Sequence, residues 1–243
     1  MIKDCHSFEP EPAKRLDFFS FPRTGSHYLG TSLAALLDLV QFPQEFAVDP
    51  EVKQRTEEIS PYTNYVLSLR ENGAPYKPVY LDTTPNGVHG TPKAGRWPII
   101  LLIRDPHATM FSWYFTAKDR WHLHEESRVD WIRDAYRQYR EYYQLGFELV
   151  KAQSPSVFLV RYEELKRDYS TLSRLVRFIG VPPKLNPEFV FWWTGFGRMT
   201  RPGPRTFYRS GNNTKWKEDP AWLADLRAAE IGSFEEFGYP DKP

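Results

Sequence analysis

The residues best suited to chemistry fall in three clusters far apart along the chain. The first is Pro22-Arg23-Thr24-Gly25-Ser26-His27-Tyr28, between an apolar run and a helical stripe. Gly25 permits a tight backbone path there, and the amides that follow open a helix. A helix N-terminus attracts a phosphate group through its unpaired N–H groups and its dipole. Arg23 and the hydroxyls of Thr24 and Ser26 add side-chain donors. The run is not a nucleotide-triphosphatase loop, because G-x-x-x-x-G-K-[ST] needs an earlier Gly and a Lys that are missing here. The second cluster is Arg104-Asp105-Pro106, directly after the most apolar run of the chain, with Ser112 eight residues beyond Arg104. The third runs from 198 to 217 and holds six bases (Arg198, Arg201, Arg205, Arg209, Lys215 and Lys217) and no acid. In a protein whose net charge is only +1, so basic a loop points to a local anionic ligand rather than a polyanion surface.

These clusters need elements to hold them. Residues 16–21 (Leu-Asp-Phe-Phe-Ser-Phe) read as a strand stopped by Pro22. Leu29, Leu33, Leu36, Leu37 and Val40 then recur at helical spacing, with Pro43 as the boundary. A short strand is expected at 78–81 and a fully buried one at 99–103, where consecutive Ile and Leu suit a parallel sheet covered on both faces. Pro106 opens a helix to about Thr116. A long helix then carries Trp131, Ala135, Tyr142, Leu145 and Leu149 on one side. Residues 157–160 form a further strand. Asp168 is the expected N-cap of a helix bearing Leu172, Leu175, Val176 and Ile179, closed by Gly180, and Asp219-Pro220 opens a last helix. Strands alternating with helices predict an α/β three-layer sandwich around a central, mainly parallel sheet, with a phosphate-binding loop after the first strand. Ligands of such sheets bind beyond the carboxyl ends of the strands, and that is where the first two clusters stand.

The 243 residues read as one domain spanning 1–243, without repeats or a flexible linker. A hydrophobic content of 41% with 26% charged residues argues against wholesale disorder. A single cysteine, Cys5, excludes an internal disulfide framework. No apolar run approaches a membrane span, and the first ten residues lack the apolar core of an export signal, so the expected location is the cytoplasm. His122-Leu123-His124 lacks further placed ligands, and no metal is expected.

Taken together, the clusters resemble the sulfotransferases that use 3′-phosphoadenosine 5′-phosphosulfate (PAPS), in a short form like that of bacterial members. The family's first motif, Pro-Lys-Ser-Gly-Thr-Thr-Trp, is similar to residues 22–28. Its Arg at a strand end with a Ser eight residues later matches Arg104 and Ser112. Its Arg-Lys-Gly-x-x-Gly-Asp-Trp-Lys is similar to Arg209-Ser210-Gly211-Asn212-Asn213-Thr214-Lys215-Trp216-Lys217. Its strand followed by Tyr-Glu-Asp/Glu-Leu is echoed by Val160-Arg161-Tyr162-Glu163-Glu164-Leu165. The order holds over roughly residues 16 to 217.

The resemblance implies an enzyme that moves a sulfonate from PAPS to a hydroxyl, or less favourably an amine, of a small acceptor, releasing the bisphosphate PAP. It implies that Arg23, Thr24, Gly25, Ser26 and His27 wrap the 5′-phosphosulfate, with Tyr28 where members carry an adenine-stacking Trp. It further implies that Arg104, Ser112, Arg209, Ser210 and Gly211 surround the 3′-phosphate and that Tyr162 approaches the adenine. Arg23 stands where many members have Lys. A guanidinium cannot give up its proton at working pH, so Arg23 serves to neutralise charge. Ser210 replaces another Lys of the pattern. The family's Lys-Thr-His before the second motif has no counterpart, which leaves Asp82 at a strand end, His89 seven residues on, and His27 as bases. His89 is favoured because its unperturbed pKa suits proton abstraction near neutrality. The acceptor site is expected from 41–91 and 118–128.

Two other classes fit parts of the pattern. A phosphate-loop kinase using ATP and magnesium would use the strand at 99–103 with Asp105, but lacks its Gly-Lys-Ser/Thr loop. A non-catalytic nucleotide- or RNA-binding module would use the basic loop, but the near-neutral charge argues against nucleic acid.

Overall fold

The computed structural model describes residues 15–37, 40–41, 80–82, 91–95, 98–121, 127–194 and 213–240. Five strands pair into one sheet: β1 (Arg15–Ser20), β2 (Val40–Gln41), β3 (Tyr80–Asp82), β4 (Ile99–Ile103) and β5 (Val157–Arg161). Their order is β2-β3-β1-β4-β5, and every pairing is parallel.

Side-chain alternation along the strands assigns two helical layers. Leu16 and Phe18 of β1 and Ile100 and Leu102 of β4 pack with Leu29, Leu33 and Leu36 of α1 (Ser26–Leu37), with α5 (Ser170–Ile179) and with α6 (Pro187–Thr194). Phe19, Ile99, Leu101 and Ile103 turn to the opposite face. There they meet α2 (Pro106–Trp121), α3 (Arg128–Gln153) and α7 (Pro220–Ala228). A short helix, α4 (Tyr162–Arg167), follows β5 directly. The protein is therefore the three-layer α/β sandwich expected, with both faces of a parallel sheet covered. The chain leaves β1 toward one layer and β4 toward the other, so β1 and β4 flank the switch point where such sheets bind ligands.

Several local expectations shift. The first helix ends at Leu37 and Val40 enters β2, because pairing with Tyr80 claims its backbone. The second helix runs five residues past Thr116. The short strand starts at Tyr80 rather than at 78. Tyr169 occupies the cap position of α5, yet the Asp168 carboxylate does accept from Ser170 N at 2.8 Å, so the capping chemistry is present one residue out of place. On α3 the buried face is Ile132, Ala135, Tyr136, Tyr139, Tyr143 and Gly146, and Leu145 is 49% exposed.

That rotation of α3 has a polar cause. Parallel strands end with backbone groups that need partners, and two tyrosines of α3 meet those at the ends of β1 and β4, with Tyr136 reaching the start of α2 beside them. Tyr143 Oη donates to Leu102 O at 2.6 Å and accepts from Phe21 N at 3.3 Å. Tyr139 Oη donates to Arg104 O, and Tyr136 Oη lies 2.6 Å from His107 Nδ1. Leucines could have filled the volume but not met those hydrogen bonds.

Candidate active site

The turn after β1 is shaped by two residues of positive φ. Gly25 lies at φ +102° and Arg23 at +69°, a region that residues with a side chain rarely adopt. Thr24 closes the turn, its amide and its Oγ1 both donating to Phe21 O, at 3.3 and 2.7 Å. The ladder of α1 begins with Leu29 N on Gly25 O at 3.1 Å. The amides of residues 26–28 precede that ladder and form the donor end of the helix.

The second cluster meets this turn. Arg104, at the carboxyl end of β4, is 7% exposed. Its Nη1 donates to Arg23 O at 2.9 Å and its Nε to Asn213 Oδ1 at 3.0 Å. Its guanidinium carbon lies 4.6 Å from the centre of the Tyr162 ring. Asp105 does not pair with it: the Asp105 carboxylate accepts from Ala108 N at 2.8 Å and caps α2. Among the described residues no carboxylate forms a salt bridge with Arg104. Two turns along α2, Ser112 Oγ accepts from Arg23 Nε at 3.3 Å, joining the first two clusters.

Tyr162 closes the side of the turn. A Cβ on Gly25 would stand 2.5 Å from its Cδ2, so the ring lies against a position that tolerates no side chain. Burial pushes the Tyr162 phenol well above its ordinary range, with Arg104 opposing, and the ring is neutral at working pH. One turn on, Lys166 Nζ lies 6.0 Å from the centre of the same ring. Burial, and then the Arg104 charge, hold its amine below the usual lysine range, with Glu163 opposing. Two cations near one aromatic ring, at a strand end facing a helix N-terminus, favour an anion.

Of the residues singled out in the sequence, Arg23, Thr24, Gly25, Ser26, Arg104, Ser112 and Tyr162 are thus drawn to one edge of the sheet. His27 is the second residue of α1. Tyr28 is buried, its hydroxyl against Thr194 of α6, and burial raises its phenol. Asp82 is the last residue of β3, the strand beside β1. His89, Arg209, Ser210 and Gly211 lie outside the described residues, as does most of the 41–91 stretch. Sequence reading passed over Glu163, Lys166, Asn213 and Tyr239. Glu163 and Asn213 stand inside quoted motifs without an assigned role, and Lys166 directly follows one; Tyr239 carries no local signal.

The sulfotransferase domain family matches residues 18–190. No curated protein matches the chain. Solved structures share its fold. The mouse sulfotransferase SULT7A1, complexed with PAP, is 15% identical with a TM-score of 0.58, over 90% of this chain and 84% of that one. The sulfotransferase domain of the Synechococcus PCC 7002 olefin synthase is 19% identical with a TM-score of 0.55, over 97% and 98%. A retinol dehydratase in complex with retinol and PAP is 15% identical with a TM-score of 0.51, over 92% and 84%.

Proposed function

This chain belongs to the sulfotransferase domain family and is an enzyme of sulfonate transfer, and on that premise we propose that its donor is PAPS and its acceptor a small molecule bearing a hydroxyl. The observation that carries the reading is the junction of three sequence-distant parts: the turn at Arg23–Gly25, Arg104 with Ser112, and Tyr162. Hydrogen bonds of 2.9 and 3.3 Å and a ring against Gly25 hold them together. PAPS carries charge at both ends of an adenosine, and two separated anions need two separated donor groups.

In this reading the amides of Gly25 to Tyr28, with Arg23, Thr24 and Ser26, take the 5′-phosphosulfate. Arg104 and Ser112, with Arg209, Ser210 and Gly211, take the 3′-phosphate, and Tyr162 adjoins the adenine. Guanidinium suits phosphate because its planar donors form paired, charge-assisted bonds. Transfer is an in-line displacement. The acceptor oxygen forms a bond to sulfur as the bond from sulfur to the bridging phosphate oxygen breaks, and the hydroxyl proton passes to a base drawn from His89, Asp82 or His27. The positive charge of Arg23 and the helix-end amides stabilise the leaving bisphosphate, as preorganised donors do wherever negative charge develops. Burial of Tyr28 directs its ring toward α6, so adenine stacking falls to Tyr162 in this arrangement.

Binding of adenosine 3′,5′-bisphosphate, measured calorimetrically, tests the site. Arg104→Ala should weaken it by about a hundredfold, the scale of losing a buried charged partner. Arg133→Ala should leave it unchanged, since Arg133 pairs with Asp130 and the Ala228 carbonyl on the surface of α3. Equal effects would refute the assignment. Stabilisation against heat by ATP–magnesium and not by the bisphosphate would favour a kinase.

A further inference from the structure

Arg104 is oriented by a chain of hydrogen bonds that ends in the last residues of the described structure. Its Nε donates to Asn213 Oδ1 at 3.0 Å. An asparagine amide can present either its oxygen or its nitrogen, and what holds the other end decides which. Here Asn213 Nδ2 donates to Glu163 Oε1 at 3.0 Å, which turns the oxygen toward Arg104. Glu163 is itself held by two more donors, Asp105 N at 3.0 Å and Tyr239 Oη at 2.9 Å.

Tyr239 is anchored in turn. It bridges to Phe234, its ring lies 5.0 Å from the Arg161 guanidinium carbon, and Arg161 Nη2 donates to Phe237 O at 2.9 Å. Asn213 and Tyr239 both lie beyond the 18–190 span that matches the family. A carboxylate placed directly on Arg104 would cancel its charge. The neutral amide between Glu163 and Arg104 supplies direction without neutralisation, leaving the remaining N–H donors of Arg104 charged toward the turn.

We propose that Asn213 and Glu163, locked by Tyr239, are positioning residues that set the orientation of Arg104 and thereby the preference for a nucleotide with a 3′-phosphate. The proposal rests on the reading that Arg104 binds that phosphate.

The test is isothermal titration of adenosine 3′,5′-bisphosphate and of adenosine 5′-monophosphate, which lacks the 3′ group, into wild type and N213A, N213D, E163A and E163Q. N213A and E163A should weaken the bisphosphate about tenfold to a hundredfold, the worth of a hydrogen bond to a charged group, and move the monophosphate by less than about threefold on the same scale. N213D keeps an acceptor for Arg104 Nε but adds a charge, so it should weaken the bisphosphate more than N213A does. E163Q keeps the acceptor that Asn213 and Asp105 need, and should restore most of the affinity lost in E163A. N213A with unchanged bisphosphate affinity, or an equal loss for both nucleotides, would overturn the relay. Wild type that binds neither nucleotide would overturn the donor reading beneath it.

Discussion

Gly25→Ala probes the turn through two costs that the structure separates. Holding an alanine in the left-handed region costs about 1–2 kcal/mol. The added Cβ would also stand 2.5 Å from Tyr162 Cδ2 and 2.6 Å from Cε2. Forcing a methyl into a packed contact costs about a further 1–3 kcal/mol. Gly180 isolates the first cost, because it lies at φ +72° with nothing within 4 Å of its Cβ position. Gly25→Ala should therefore destabilise by about 2–5 kcal/mol and Gly180→Ala by about 1–2 kcal/mol. For a chain of this size each kcal/mol lowers Tm by about 2–4 °C. Scanning calorimetry of both variants, with bisphosphate titration of each, reads the two costs. The packing part of the Gly25→Ala deficit should vanish when Tyr162→Ala is added, since the ring is what the methyl meets. The cycle should give a coupling of about 1–3 kcal/mol, within the range for residues in contact. If Gly25→Ala unfolds at the same temperature as Gly180→Ala, or if Tyr162→Ala brings no relief, the packing of Tyr162 on the turn is wrong.

Tyr143→Phe removes the hydroxyl that serves both Leu102 O and Phe21 N; leaving those buried groups unpaired should cost about 1–3 kcal/mol in urea or thermal unfolding. Lys166, whose amine is held low by burial and then by Arg104, should regain basicity when an anion binds beside it. The complex then holds more protons than the free protein between the two pKa values. Bisphosphate affinity should fall as pH rises through that window, and titration in buffers of different ionisation enthalpy should register proton uptake. Uptake that persists in Lys166→Gln would refute the role. His89→Ala should lower kcat about a hundredfold, the worth of a general base, while bisphosphate affinity holds; near-normal turnover would hand the base to Asp82 or His27.

The local parts of this protein were legible in its residues. Consecutive apolar residues at 99–103 gave a strand buried on both faces. Asp219-Pro220 opens α7 with the Asp219 carboxylate accepting from Trp222 N at 2.9 Å, and Gly180 ends α5 in the left-handed conformation. These outcomes rest on φ, ψ and neighbours a few residues away. The placement of Arg23 to Ser26 in the turn between β1 and α1, and of Arg104 directly after β4, was legible for the same reason, because an apolar run and the polar residues that end it are neighbours in the chain.

Contacts across the fold were not legible. Which face α3 would bury depended on the backbone groups left open at the ends of β1 and β4, and the hydroxyls of Tyr139 and Tyr143 won over the stripe of Trp131, Ala135, Tyr142, Leu145 and Leu149 that periodicity favoured. Sequence alone determined that this chain would build a parallel α/β sheet with cationic, hydroxyl-rich turns at its carboxyl edge. Only the tertiary structure decided that residues 104, 163, 213 and 239 share one hydrogen-bonded chain. Such bonds require a match of about 0.3 Å in length and tens of degrees in angle, and that match is set by how whole layers pack, not by any neighbour in sequence.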